Sequence, residues 1–475
     1  MTSHLRTRLL VVPALLLVAC AQRPVPVVMP GTSSSSPAQW RNAAGSQPVA
    51  IAWWQQFGDA TLTRLIDEAL TRNQDLRQAA ARVTEAHALA VAQHGAFWPT
   101  LDAGVGGARS RSISDVTLKP YLSTGHQSLF QAGYEVDLWG RVDALARAAD
   151  TGEQATRAAR DAIALSVAAS VAQAYIGLLE LDAQLDVAQR LLASRERSLL
   201  LVRRRHALGY ANALELAQAE SDRHAGAQAL PQLRRAMERQ EAQLNLLLNR
   251  APGAVERGGW LSALHPCALP DAGLPSELLR RRPDVHVAEL QVAASDAQLA
   301  AARTQWLPSL HLNASLGRTG ASVLRGDPFT LWSLGGSVLA PLFNGGRLRA
   351  LADASAARRE QALAAYEHAV LGAWAEVEVQ LNAHEQQATQ LREALAQRDA
   401  MAEALRVTER RHDQGQVSTL EALQAERQLL AVEQGVLNLQ SGLLHSQVAL
   451  FRALGGGWSR NIEPDPSRPT QEERP

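Results

Sequence analysis

The sequence is poor in several kinds of residue, and each shortage narrows what the protein can be. Its 475 residues include two cysteines, Cys20 and Cys267, so at most one disulfide can form. Aromatic side chains make up only 4% of the chain, which favours close helix packing over one large globular core. The 47 basic and 47 acidic residues balance, so no net charge indicates a nucleic acid as partner. Beyond residue 19 we expect no apolar run long enough for a transmembrane helix.

The N-terminus has the pattern of a lipoprotein signal. Arg6 and Arg8 precede an apolar stretch, residues 9–19, which is too short to span a bilayer. The stretch runs into Leu-Val-Ala-Cys, which resembles a bacterial lipobox and implies cleavage before Cys20 and acylation of that residue. An ordinary signal peptide with a coincidental cysteine is the alternative. We interpret residues 1–19 as a signal peptide, 20–52 as a lipidated linker and 459–475 as a disordered tail.

The chain repeats itself about two hundred residues apart. Residues 205–220 read RHALGYANALELAQAE and residues 411–426 read RHDQGQVSTLEALQAE, with eight identities at the constant offset 411 − 205 = 206. Chance rarely gives such agreement, so the sequence indicates a fused duplication. We place the first repeat at 53–250, a connecting segment at 251–275 and the second repeat at 276–458.

Helical periodicity dominates both repeats. From Val171 and again from Leu420, apolar or small residues recur at alternating steps of three and four, which predicts antiparallel hairpins with coiled-coil packing. Residues 141–208 contain no proline and predict a helix of roughly 100 Å, and 347–414 repeat this prediction. Pro231 predicts a kink or break in the return helix of the first repeat.

Short segments with period two lie between the helical parts. This pattern fits a transmembrane β-barrel or a soluble sheet covered by helices, and the lipid anchor favours the barrel. Because an open sheet edge is not tolerated in lipid, a barrel with four strands per chain requires several chains. Glu135 and Asp137 would then face a water-filled lumen, where a plain role in barrel solvation is favoured over a role in its selectivity. We expect the strands near residues 101–105, 127–139, 308–317 and 334–342.

A set of motifs within this pattern resembles one family. The motifs are Trp53-Trp54-Gln-Gln-Phe57-Gly-Asp59, Asn73-x-Asp75-Leu76, Tyr134-x-Val-Asp-Leu-Trp-Gly-Arg141, Arg281-Arg-Pro-Asp-Val285, Pro341-Leu-Phe-Asn-Gly-Gly346 and Ala453-Leu-Gly-Gly-Gly-Trp458. Together they are similar to the outer-membrane factor family, and within it to TolC-like efflux lipoproteins of the NodT group. The resemblance implies a mainly α fold with a small β part. Three chains with four transmembrane strands each would form a 12-stranded β-barrel, continued by a periplasmic α-helical tunnel of long antiparallel coiled-coil helices.

The resemblance also implies a function and partners. Proteins of this kind are exit ducts of tripartite efflux pumps and pass small molecules to the cell exterior. The implied assembly is a homotrimer that contacts outer-membrane lipid, a periplasmic adaptor protein and an inner-membrane transporter of the RND type. The implied location is the outer membrane, with a lipid anchor and an extension into the periplasm.

The repeated motif supplies the first candidate residues. Gly209 and Gly415 can take the positive φ that ends a helix, so both are expected at helix turns. By resemblance, these turns and the neighbouring Arg205 and Arg411 form the periplasmic tip that meets the adaptor.

A second candidate set lies just after the second turn. Leu420, Gln424 and Arg427 share one helical face and align with the family positions that constrict the closed aperture. Relatives often carry Asp where this chain has Gln424, so the cation sensitivity of the gate stays open. Ordinary coiled-coil surface is the alternative interpretation.

The sequence shows no pattern typical of catalysis or of metal binding. His206 and His412 occupy equivalent places in the two repeats, but no second type of ligand accompanies them at metal-like spacing. No nucleophile–base constellation, Gly-rich phosphate loop or paired Cys/His cluster is present. We therefore expect no enzyme activity, no cofactor and no metal. Two further hypotheses remain, namely a duct for type I protein secretion and a non-conducting periplasmic coiled-coil lipoprotein.

Overall fold

The computed structural model describes residues 37–42, 45–113, 115–116, 118–321, 328–456 and 458. Cys20, the predicted signal peptide and the predicted tail lie outside the described residues. Helices and strands follow each other in the same order twice, as the duplication predicts. The first series is α1 (Ala60–Arg72), α2 (Gln74–His94), β1 (Thr100–Ile113), β2 (Pro120–Val136), α3 (Arg141–Ala207) and α4 (Ala213–Leu247). The second is α5 (Pro275–Arg281), α6 (Pro283–Thr304), β3 (Ser309–Ala321), β4 (Phe329–Leu339), α7 (Arg347–Asp413) and α8 (Thr419–Ala453).

The four strands form one antiparallel sheet in the order β1-β2-β3-β4. All four predicted strands are present, although β2 runs from Pro120 to Val136 rather than over 127–139. It ends early because Asp137 turns away, and its Oδ2 accepts the backbone N–H of Asp143 at 2.9 Å to cap α3.

The sheet has one polar and one apolar face. Alternate residues of a strand point to opposite faces, and the strand registers run without a bulge. One row across the polar face is Asp102, Gln131, Ser315 and Ser333, and the next row, on the other face, is Ala103, Phe130, Leu316 and Trp332.

The two long helices match the prediction closely. α3 and α7 contain 67 residues each, which corresponds to about 100 Å at about 1.5 Å per residue. Both begin directly after a glycine with positive φ, Gly140 at 73° and Gly346 at 83°. Of the predicted kink or break at Pro231, the break is wrong, because α4 stays helical through this residue, and the kink stays a prediction. Proline removes a single N–H donor, and the flanking turns of α4 keep their own hydrogen bonds.

One helix passes a simple test for membrane spans. α3 holds an 18-residue window with a mean hydropathy of 1.8, so the expectation of no such run beyond residue 19 is wrong. However, 56% of that window is buried inside the protein. Tyr175, Ile176 and Leu178 of α3 belong to a hydrophobic core, which favours the interpretation as a core helix.

The described residues divide into two compact units, and each takes segments from both repeats. Unit 1 comprises residues 82–156 and 287–367 and holds the whole sheet. Unit 2 comprises residues 37–81, 157–286 and 368–458. In unit 2, Trp53 of the first family motif is fully buried and stacks on Phe451 at 5.3 Å between ring centroids.

Part of the predicted linker packs within unit 2. The indole N–H of Trp40 donates to the carbonyl of Gly273 at 2.9 Å, and Gln47 pairs with Pro270 in a β-bridge. The backbone N–H of Arg41 donates to the Glu378 carboxylate of α7 at 3.2 Å. The chain is thus held against the connecting segment from about residue 40 onward.

Candidate functional site

The repeated motif forms two five-residue turns. We call them tip 1, residues 208–212 between α3 and α4, and tip 2, residues 414–418 between α7 and α8. Gly209 has a φ of 79° and Gly415 a φ of 74°, so the predicted positive φ is confirmed at both. An L-residue with a side chain is disfavoured in this left-handed conformation, which explains the glycine in each copy.

The same pair of hydrogen bonds closes both helices. In tip 1 the N–H of Gly209 donates to His206 O at 2.9 Å, and the following N–H donates to Arg205 O at 2.8 Å. In tip 2 the corresponding acceptors are His412 O and Arg411 O, both at 2.8 Å. This is the Schellman motif, in which backbone groups satisfy the last carbonyls of a helix. The arginines contribute their carbonyls to it, and their side chains are left for other contacts.

Side-chain caps start the return helices. Asn212 Oδ1 accepts the N–H of Glu215 at 2.8 Å, and Ser418 Oγ accepts the N–H of Glu421 at 3.2 Å. These are the N-cap positions of α4 and α8, each with glutamate three residues later. The histidines fasten the turns. The Nδ1 of His206 lies 2.8 Å from the Ala211 carbonyl, and the Nε2 of His412 lies 2.9 Å from Thr419 Oγ1.

The two tips share a backbone but not a surface. In tip 1, Leu208 is 72% exposed and Tyr210 is 74% exposed, and Leu214 in the first turn of α4 is 65% exposed. The equivalent residues of tip 2 are Gln414 and Gln416, which are also exposed. Tip 1 is therefore apolar and tip 2 polar. The difference in polarity is visible when residues 208–212 are compared with residues 414–418. The predictions, however, relied on the residues that the two copies share.

The aperture candidates lie on α8 in different environments. Leu420 is half-buried and Gln424 is exposed, although these residues are four apart and share one helical face. Arg427 is not free, because its Nη1 lies 3.6 Å from Asp222 Oδ2 of α4. The arginine thus joins the two return helices.

Glu426, next to Arg427, makes a contact that the sequence did not reveal. Its carboxylate accepts the hydroxyl of the fully buried Ser194 at 2.8 Å and the guanidinium of Arg197 at 2.6 Å, both on α3. The equivalent residue in the first repeat, Glu220, pairs instead with Arg203 inside its own hairpin at 2.8 Å. The position equivalent to Arg203 is 203 + 206 = 409, and it holds Glu409. Glu426 therefore has no equivalent arginine in its own hairpin.

Further contacts link α3 to α8 along the same line. Arg190 pairs with Glu433 at 2.9 Å, and the Ser441 hydroxyl donates to Glu180 at 2.6 Å. These partners run in opposite directions along the two helices, as antiparallel neighbours do. Polar contacts thus connect the first hairpin to the second from residue 180 to residue 197.

The charged candidates on the sheet have structural partners. Glu135 is held by Arg141 through two hydrogen bonds of 3.1 and 2.6 Å, and Asp137 caps α3. By contrast, Asp102 is exposed on the polar face and makes no ion pair within the described residues. Asp102 is thus a free charge that was not among the predicted residues. The alternation of Asp102 with Leu101 and Ala103 indicates which face of the sheet it occupies, but not whether a basic residue neutralises it.

Together these features define a class of protein. A sheet with one face suited to lipid and one to water, in a chain with helical hairpins whose first helices contain 67 residues, is typical of an outer membrane channel with a helical tunnel.

Comparison with known proteins agrees. The outer membrane efflux protein family matches residues 65–250 and again 274–456. The pyoverdine export outer membrane protein OpmQ of Pseudomonas aeruginosa is 35% identical, with 94% of this chain and 95% of that protein covered. The toluene efflux pump outer membrane protein TtgF of Pseudomonas putida is 34% identical, with 90% and 89% covered. The open state of the Neisseria gonorrhoeae MtrE outer membrane channel superposes with a TM-score of 0.81 at 30% identity, covering 92% of this chain and 98% of that one.

The chain belongs to the outer membrane efflux protein family, and it is a protein of the outer membrane. Its main predicted function, an efflux channel, is confirmed at this level. The family is one of channels rather than enzymes.

Proposed function

We propose that three copies of this chain form the outer-membrane exit duct of a tripartite efflux pump. The sheet carries the proposal. Its end strands, β1 and β4, each pair with one strand of the described chain, and one of its faces is apolar. Unpaired edges in lipid leave backbone groups unsatisfied, so the sheet must close with sheets of other copies. Three sheets of four strands give the 12-stranded barrel, and acylation of Cys20 would add a lipid anchor.

The tips are the proposed contact with a periplasmic adaptor. Leu208 and Tyr210 of tip 1 offer exposed apolar surface, and Gln414 and Gln416 of tip 2 offer amide groups. An adaptor that contacts both would meet alternating apolar and polar tips around the trimer. Arg205 and Arg411 flank this surface and supply positive charge.

The proposed gate lies on α8 beside tip 2. Opening requires the second hairpin to move away from the first, so contacts between α3 and α8 favour the closed state. Glu426 makes such contacts with Ser194 and Arg197 on α3, and Arg427 adds a contact with Asp222 on α4 of the same first hairpin. Leu420 and Gln424 then line the constriction, where Gln424 offers a hydrogen-bonding amide rather than a carboxylate.

The proposed cargo is a small molecule selected upstream of this protein. Two relatives of nearly equal identity, 35% and 34%, are named for export of pyoverdine and for efflux of toluene. Such different molecules share little chemistry that one duct surface could recognise. Selection and energy coupling are therefore assigned to an inner-membrane transporter, of the RND type, and transport through the duct is passive.

Conductance tests the proposal directly. The purified full-length protein should run as a detergent-resistant trimer and form ion-conducting channels in planar bilayers. A Cys20→Ser variant should give the same conductance once reconstituted, because the barrel and not the anchor forms the pore. A protein that assembles but never conducts would exclude the duct and favour the tethering lipoprotein.

A further inference from the structure

Three arginines lie on the apolar face of the sheet, near the end where the strands turn back. Arg109 and Arg111 follow Val105 on β1 at even spacing, and Arg318 follows Leu316 on β3 by two residues. The registers of both strands are continuous over these positions, so no bulge reverses the alternation. The three side chains therefore share a face with the apolar residues rather than with the polar lumen face. We call them the outward arginine cluster.

Aromatic residues fix the depth of this cluster. Phe130 and Trp332, 56% and 75% exposed, are the aromatic members of one row of the same face. The next row toward the strand turns contains Val105, Ser128, Arg318 and Thr330, and Leu122 lies beside Arg111 further out. Rings of aromatic residues mark the membrane interface in β-barrels, so the arginines lie at the level of the lipid headgroups. This placement rests on the proposed function, which directs the strand turns toward the cell exterior.

The cluster has no partner of its own and room for a large ligand. All three arginines are exposed, and none forms an ion pair with another described residue. Arg109 lies about 13 Å along the strand and about 10 Å across the sheet from Arg318. The row between them holds His126 with Gly107 and Gly320 on either side, so small residues flank the imidazole.

The chemistry of the three guanidinium groups indicates which kind of ligand this cluster binds. A guanidinium facing lipid is costly at mid-membrane but tolerated near the interface, where it can reach an anion. Arginine binds phosphate through two parallel hydrogen bonds, and two such groups about 15 Å apart suit a headgroup with two phosphates. We propose that the outward arginine cluster is a binding site for the phosphates of the phosphorylated glycolipid in the outer leaflet.

Lipid binding by the full-length trimer in detergent tests the proposal, with lipid A as the probe. The triple variant Arg109→Gln/Arg111→Gln/Arg318→Gln should bind lipid A about 100-fold more weakly, because each arginine near an anionic surface adds about 1 kcal/mol. Lipid A stripped of phosphate should bind the parent and the variant equally. Inorganic phosphate competes at millimolar concentration if a free anion is the true ligand, and such competition would contradict the lipid assignment.

Two controls distinguish binding at the outward arginine cluster from a general effect of positive charge on lipid A affinity. Arg234→Gln/Arg235→Gln/Arg239→Gln removes the same charge from exposed positions of α4 and should leave lipid A affinity unchanged. Adding Ser110→Arg and Ser112→Arg to the triple variant returns charge to β1 on the opposite face, and affinity should stay low. Recovery of affinity by that addition overturns the proposal.

The single variant Arg318→Gln, with an expected loss of about fivefold, provides the test if the triple variant does not form trimers. Unchanged affinity in either variant refutes the site, whereas the duct itself is judged separately by conductance.

Discussion

The contact of Glu426 with α3 gives a quantitative prediction about the proposed gate. Glu426→Ala removes the acceptor of the buried Ser194 hydroxyl and the partner of Arg197. A hydrogen bond to a charged group contributes about 1.5–3 kcal/mol, and leaving a buried hydroxyl without a partner costs a similar amount. The pair with Arg197 is largely exposed, so solvent screening limits it to at most about 1 kcal/mol. The lost bond and the unpaired hydroxyl are one loss and not two, so at the lower end of these values the total is about 2 kcal/mol, or roughly 30-fold in the equilibrium between joined and separated hairpins.

Hydrogen–deuterium exchange of the detergent trimer measures this shift. Amides of 191–200 and 420–430 exchange when the hairpins separate, so their protection should fall by about 30-fold. Channel recordings should show a parallel rise in the open fraction at fixed voltage. The double variant Ser194→Ala/Glu426→Ala should recover part of the lost protection, because it leaves no buried hydroxyl without a partner.

The duplication supplies the matched control. Glu220→Ala removes the equivalent glutamate of the first repeat, whose exposed pair with Arg203 lies within one hairpin. We expect a change of less than about 1 kcal/mol and no increase in opening. The reasoning is refuted if Glu220→Ala opens the channel as much as Glu426→Ala, or if neither changes protection at 191–200.

Three further predictions concern other parts of the chain. The double variant Gly209→Val/Gly415→Val places a branched side chain in left-handed backbone, which costs about 1–2 kcal/mol per site, so export in cells should fail while trimers persist. As a control, Gly435→Val adds the same side chain on α8, where a Cβ meets no neighbouring atom, and it should leave export intact. Asp102→Asn should reduce the cation preference seen in bilayer reversal potentials, and Gln131→Asp, on its cross-strand neighbour, should restore it. Burial alone raises the pKa of Glu376, but hydrogen bonds and charge from Arg282 and Arg452 outweigh it and lower that pKa. The resulting stability is full above the ordinary carboxyl pKa of 4.5 and is lost as pH falls below it, so the melting temperature should drop in acid. Arg282→Met should flatten that drop and cost about 3–5 kcal/mol at neutral pH, and a melting curve of unchanged pH dependence would contradict the role of Arg282.

Elements with a strong periodic signal could be predicted from the sequence alone. The long helices were predicted to within a residue at each end, because proline is absent from them and a glycine with positive φ precedes and follows each one. The turns were predicted because two copies of one motif agree on the residue that must be glycine.

Elements whose ends depend on tertiary contacts were predicted less well. The end of β2 is set by Asp137, which leaves the strand to cap α3, and alternation in the sequence continues past that point. Pro231 predicted a kink or break because proline disfavours helices, but one missing N–H donor is not enough to end α4 at this residue.

The contacts that distinguish the hairpins are the hardest to predict, since they depend on which helices become neighbours. Glu220 and Glu426 occupy the same position of the repeated motif, and the motif itself does not indicate that their partners differ. The difference comes from position 409, where glutamate replaces the arginine found at 203, so Glu426 turns to α3 of the other hairpin. The loss of the arginine at this position thus accompanies a contact between hairpins in place of a contact within one hairpin. In the proposed gate, this asymmetry adds a contact close to tip 2 to the other contacts between the hairpins, such as Arg190 with Glu433, and all of them must break on opening.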